Sequence, residues 1–120
     1  MKSNVRPIIA FIGGKLISGN KASSVYDYDG SQYINVGGKI TESKVNVYDY
    51  GRRCYISGNK KSSVYSLYDY GNGSHITLKI DGVKFKGYDY YTSSHFSGTV
   101  KNKAVSFYDY ETSSYYNYSV

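Results

Sequence analysis

At 120 residues the chain has room for one domain, residues 1–120, with a modest core. Seventeen Tyr against no Trp and one Pro, with Lys and Arg outnumbering Asp and Glu 15 to 9, describe a basic chain that favours strands. A single Cys54 excludes an intrachain disulfide, and no apolar stretch approaches the length of a membrane-spanning helix.

The first patterned segment is residues 5–12, Val-Arg-Pro-Ile-Ile-Ala-Phe-Ile. Its apolar run, Ile8 to Ile12, is too short for the core of a secretory signal, and Gly13, Gly14 and Lys15 interrupt it at once. It reads as a buried first strand, with Leu16-Ile17-Ser18 in the strand that follows. The missing signal and the lone Cys fit a reducing cytoplasm better than an oxidising compartment.

From there an internal repeat governs the chain. Tyr-Asp-Tyr occurs at 26–28, 48–50, 68–70, 88–90 and 108–110, with offsets of 22, 20, 20 and 20 residues. After four intervening residues comes Tyr33, Tyr55, His75, His95 or Tyr115. Each unit reads as one strand ending in Tyr-Asp-Tyr, a four-residue turn, and a second strand such as His75-Ile76-Thr77-Leu78-Lys79-Ile80. The expected fold is therefore all-β, an antiparallel meander of about six 20-residue hairpins and about 12 strands with essentially no helix. Residues 115–120 form a second strand with no partner after it, and residues 5–12 stand where a first strand is missing. Pairing these two would complete a sixth unit and close a shallow barrel without free edges.

Strand parity assigns the faces. Ile34, Ile56, Ile76, Leu78 and Phe96 share one column of the second strands, and Val47, Leu67 and Phe107 one column of the first, so these should form the core. The same parity turns Asp27, Asp49, Asp69, Asp89 and Asp109 towards that core and both flanking Tyr away from it. Unpaired buried carboxylates would cost several kcal/mol each. Three arrangements would accommodate them. Each Asp can accept N–H bonds from the turn that follows, the five can ring a cation, or a bulge can exchange the faces.

Candidate chemistry is sparse. Cys54 stands where other repeats have Ser74, Ser94 and Ser114, so a turn residue explains it better than a nucleophile does. His75 and His95 fill a slot that is otherwise Tyr, and no third metal ligand accompanies them. No phosphate loop is present. We therefore expect no catalytic residue, no metal and no cofactor. What stands out is surface chemistry. Ten Lys (Lys21, Lys39, Lys44, Lys60, Lys61, Lys79, Lys84, Lys86, Lys101 and Lys103) fall near one set of turns against only Glu42 and Asp81. In a meander they share one rim, while Tyr28, Tyr50, Tyr70, Tyr90 and Tyr110 share the other with Tyr33, Tyr55, His75, His95 and Tyr115. That aromatic rim is the candidate ligand-binding surface, suited to a protein or glycan. Lys60, Lys61, Lys84, Lys86, Lys101 and Lys103 are the expected points of weak electrostatic contact with anionic lipid or nucleic acid, unless they only keep the hairpin ends soluble.

The turn Tyr26-Asp27-Tyr28-Asp29-Gly30, followed by a short strand, a Gly-containing turn and another strand, resembles the repeats of the bacterial β-flower proteins over nearly the whole chain. That resemblance implies a shallow, symmetric barrel of petal-like hairpins and carries no established activity. Tyr48-Asp49-Tyr50-Gly51-Arg52 also looks like the Tyr-Asp repeats of RHS proteins, whose chains are far longer. Repeats three to five often lack the turn Gly, as in Tyr91-Thr92-Ser93, and neither family supplies functional residues to carry over. Two functions stay in view: a non-catalytic binding or adaptor module, and a structural or self-assembling repeat protein.

Overall fold

The computed structural model describes residues 1–120. After helix α1 (Arg6–Ser18) come ten strands: β1 (Ser24–Asp27), β2 (Gln32–Ile40), β3 (Lys44–Asp49), β4 (Cys54–Lys61), β5 (Val64–Asp69), β6 (Ser74–Asp81), β7 (Lys84–Asp89), β8 (Ser94–Lys101), β9 (Ala104–Asp109) and β10 (Ser114–Ser119). Each strand pairs antiparallel with the next, and β1 pairs with β10 to close the barrel, with Tyr26 opposite Ser119 and Asp27 opposite Tyr118. The all-β meander and its closure are as expected, but it has five hairpins and ten strands in place of six and about 12, and the 13-residue α1 overturns the expectation of essentially no helix. The first strand of the closure is β1, however, and not residues 7–12.

Residues 5–12 correct the sequence reading. They do not form a strand; most of them belong to α1, which fills the barrel, and Leu16-Ile17-Ser18 is its last turn. Ile8, Ile9, Ala10 and Ile12 have no exposed surface at all. A segment wrapped on every side by a barrel has no solvent face, so its sequence is apolar all round and shows no amphipathic period. It has no neighbouring strand edge to bond, and only a helix satisfies its own backbone there. Pro7 sits in the first turn, where its missing N–H costs nothing. Gly19 ends the helix in a left-handed conformation (φ 69°), its N–H donating to the Lys15 carbonyl at 2.8 Å. Gly13 and Gly14 allow the helix to lie against the wall. A Cβ at Gly13 would fall 2.7 Å from the Phe85 ring, and one at Gly14 2.6 Å from Val120. The helix runs from the end where Arg6 meets Asp109 to the end where Leu16 and Gly19 meet Ile40 and Lys60. No helix is long and apolar enough to cross a membrane.

The 22-residue spacing of the first two repeats has a geometric result. Tyr68, Tyr88 and Tyr108 pair with Ser57, Thr77 and Ser97, each two residues beyond the aromatic of the preceding hairpin. Tyr48 and Tyr26 instead pair with Gly37 and Ser119, four residues beyond Tyr33 and Tyr115. The β1–β2 hairpin is thus slid by two residues at both of its seams. Stagger, tilt and diameter are linked in a closed barrel, so the extra slide widens this one around its helix.

The core follows the predicted columns. Ile56, Ile76, Leu78, Phe96, Val47, Leu67 and Phe107 are buried. Ile34 is only half-buried, because the slide puts Val36 opposite Asp49, the place Ile56 takes opposite Asp69. Phe85, Phe96, Phe107 and Tyr118 make the aromatic side of the core, with Phe96 and Phe107 stacked 5.4 Å apart.

Candidate binding surface

The five repeated Asp are all buried, and they anchor the turns that carry the aromatic residues. Each accepts a hydrogen bond from the backbone N–H two residues on: Asp29, Gly51, Gly71, Tyr91 and Glu111 donate at 2.9–3.0 Å. Asp27, Asp49 and Asp69 accept a second from the residue after that. Of the three arrangements open from the sequence, turn capping is the one observed. The faces are not exchanged, and no three potential ligands converge as a cation site would need.

The capped turns hold strained backbone. Ser31, Arg53, Ser93 and Ser113 all have φ between 51° and 58°, in the slot that Gly73 fills at φ 66°. Left-handed backbone costs a non-glycine residue about 1–2 kcal/mol, which the Asp bonds in the same turn offset. Four of the five repeats therefore keep the turn without a glycine in this slot.

Two arginines to which the sequence assigns no role complete the charge balance. Arg52 donates through Nε to Asp49 at 2.7 Å and through Nη1 to Asp69 at 3.0 Å, bridging adjacent repeats. Burial alone would lower its pKa; its bonds to Asp49 and Asp69 outweigh that and hold it above the ordinary value. Arg6 on α1 donates to Asp109 at 3.1 Å and lies 3.7 Å from the centre of the Tyr116 ring. The Met1 amine also pairs with Asp109, and with Glu111 at 2.7 Å. Near the same end, burial pushes the Tyr118 phenol well above its usual range against the opposing pull of Arg6. The only trace of these roles in the sequence is the Asp49-x-x-Arg52 spacing.

Outside the wall, parity and turn place three rings together in every repeat. Tyr48 meets Tyr50 and Tyr55 edge to face, with centroids 4.9 and 4.8 Å away. The same T-shaped pairs recur in Tyr26/Tyr28/Tyr33, Tyr68/Tyr70/His75, Tyr88/Tyr90/His95 and Tyr108/Tyr110/Tyr115. All ten aromatics expected at the rim are exposed there. Tyr26, Tyr48, Tyr68, Tyr88 and Tyr108, absent from the predicted surface, are half-buried behind them and set their angle. Tyr28, Tyr50, Tyr70, Tyr90 and Tyr110 are 56–62 % exposed, so nothing in the chain covers these rings. Edge-to-face pairs contribute about 0.5–1.5 kcal/mol each beyond burial, which keeps the rings in place without a ligand.

All ten Lys are exposed, but they do not all share the opposite rim as expected: Lys79 and Lys86 pair with each other within the β6–β7 ladder and border the same groove as Tyr88, His95 and Tyr110. None lies within ion-pair distance of a carboxylate; the five ion pairs of the molecule belong to Met1, Arg6 and Arg52.

Cys54 lies among Arg52, Asp69 and the Gly71 N–H, with neither His beside it. Burial pushes its thiol up, more than Arg52 and the Gly71 N–H pull it down. Iodoacetamide should therefore alkylate Cys54 in the native protein more slowly than a small free thiol at pH 8. A faster rate than the free thiol would contradict the assignment. As pH rises past the ordinary thiol pKa of about 8.5, the unfolded chain loses this proton first, so the contribution of Cys54 to stability falls.

Comparison of the chain with protein-family models, with curated proteins and with solved structures finds no significant match in any of the three.

Proposed function

We propose that this chain is a non-catalytic binding module that presents its Tyr-rich wall to a ligand. The observation that carries the reading is the set of five exposed aromatic triads, held in one geometry by buried Asp-capped turns. Exposed Tyr is the residue that binding surfaces enrich, because it offers a large amphipathic area at low cost in side-chain entropy. Rings fixed before a ligand arrives lose less freedom on binding. The Lys rim adds long-range attraction for an anionic partner, with weak contacts through Lys60, Lys61, Lys84, Lys86, Lys101 and Lys103. The closed meander of short hairpins supports kinship with the β-flower proteins.

The test is a set of glycan, lipid, nucleic-acid and protein arrays, probed with the wild type and with Tyr50→Ser/Tyr70→Ser/Tyr110→Ser. The triple variant should lose the hits while keeping the wild-type fold by circular dichroism, its thermal midpoint lowered only by the loss of three edge-to-face pairs. Light scattering over a concentration series should show a monomer in both. Association that rises with concentration and disappears in the variant would instead make the Tyr wall a self-assembly surface.

A further inference from the structure

The wall is not uniform around the barrel. Across β6, β7 and β8 it carries a groove of about 550 Å³ whose floor is Gly87. The other repeats have Val25, Val47, Leu67 or Phe107 at this position. With no side chain there, the Phe96 ring packs directly behind the backbone and reaches the floor of the groove, 2.5 Å from where a Cβ would stand.

Lys79 and Lys86 lie on one side of this floor, directly opposite each other on paired strands. Like charges facing each other across a ladder are unfavourable. No carboxylate lies within ion-pair distance of either. Both stand within the strand ladder and not in a hairpin tip, so protection of a sheet end does not account for them. Tyr88 lies two residues from Lys86 on the same face, about 7 Å along the strand, with His95 opposite it and Tyr110 at the end of the groove. The Tyr110 N–H donates to the His95 carbonyl at 3.2 Å, so the lysine pair, His95 and Tyr110 border one groove.

We infer that this groove takes one phosphorylated nucleoside unit of a single-stranded nucleic acid, the phosphate between Lys79 and Lys86 and the base against Tyr110. Stacked rings beside a basic track are the means by which single strands are held without sequence preference. A duplex hides the base faces that the rings need. An acyl chain finds no seat, because Val83 is the only large aliphatic side chain exposed anywhere on the molecule. An acidic sugar would call for planar side chains that pair with its hydroxyls, and the groove offers only the hydroxyls of Thr77 and Ser97 beside its rings. Beyond Tyr110 the next triad continues the platform for the rest of the strand.

The inference rests on the binding-module reading, and its test separates the two. Fluorescence anisotropy with labelled oligo(dT) should show binding that weakens as salt rises, with the duplex and AMP much weaker. Lys79→Gln/Lys86→Gln should reduce affinity and lower the salt slope by about 0.7 for each phosphate no longer neutralised. Tyr110→Ala should weaken binding about tenfold and leave the slope in place. Lys86→Glu, which turns the like-charge pair into an opposite one, should abolish binding with an unchanged or higher thermal midpoint, so that a fall in affinity is not a failure to fold. Affinity for oligo(dT) indifferent to the two lysines, or equal for the duplex, would overturn the inference. Equal affinity for AMP would overturn the single strand as occupant, and a heparin fragment bound more tightly through the same lysines would make the site one for acidic glycans. Array hits that respond to Tyr50 and Tyr70 but not to Lys79 and Lys86 would overturn this inference alone and leave the binding module standing.

Discussion

Arg52→Ala should destabilise the protein by about 3 kcal/mol, read from the urea midpoint at constant slope. The side chain bridges Asp49 and Asp69, whose carboxylates are both buried. Its removal leaves each with backbone donors alone, and the cost of a buried charge without its partner exceeds what the pair contributes when intact. Arg52→Met keeps most of the stem packing, so a loss nearly as large in that variant would assign the effect to charge. Adding Asp69→Asn to Arg52→Ala should recover part of the loss, with a coupling of about 0.5–3 kcal/mol. Arg53 is the control beside it. It makes no ion pair and holds a φ of 58°, so Arg53→Gly should be neutral or stabilising by up to about 1 kcal/mol. Equal losses at 52 and 53 would mean that the turn depends on its backbone and not on the bridge.

These two neighbours show which features are legible in the sequence. The alternation of faces repeats every two residues in every hairpin, so the apolar columns, the outward Tyr and the inward Asp all follow from parity. The bonding of Asp to its own turn follows from local spacing. Which cation reaches which Asp depends on packing between repeats and on a helix far away in sequence, and no local pattern encodes that. The helix itself is illegible for a physical reason. An apolar run of five residues fits a buried strand or a buried helix equally, and polar residues on one face normally decide between them. Inside a barrel there is no such face. Gly13-Gly14 then reads as a breaker, although its role is to let the helix touch the wall. The offset of 22 among offsets of 20 is visible, but its meaning needs the closed barrel, where two extra residues become a slide at two seams. Of the candidate surface, the ten outer rings are legible from parity, while the groove over Gly87 is not. A missing inward side chain marks the outer face only once Phe96 is seen behind it.

The second large effect lies where helix and wall meet. Phe85→Ala should cost about 3–5 kcal/mol, the range for a buried aromatic whose cavity cannot collapse. Collapse is opposed on two sides. The ring fills the space over Gly13 of α1 on one side and Gly98 of β8 on the other, and a Cβ at either glycine would overlap it. Phe96 and Phe107 hold it laterally, with centroids 6.4 and 6.0 Å away. The same geometry predicts a compensating pair. Gly98→Ala alone should cost about 1–3 kcal/mol, because the added methyl meets a ring with no room to move. Joined to Phe85→Leu, whose shorter side chain vacates that space, the methyl fills a void, and the double variant should lose less than the two single losses added together. The difference should be about 0.5–3 kcal/mol in a double-mutant cycle on thermal or urea unfolding. Strict additivity would mean that Phe85 and Gly98 do not share one space, and that the helix is seated by something other than the fit of this ring between two glycines.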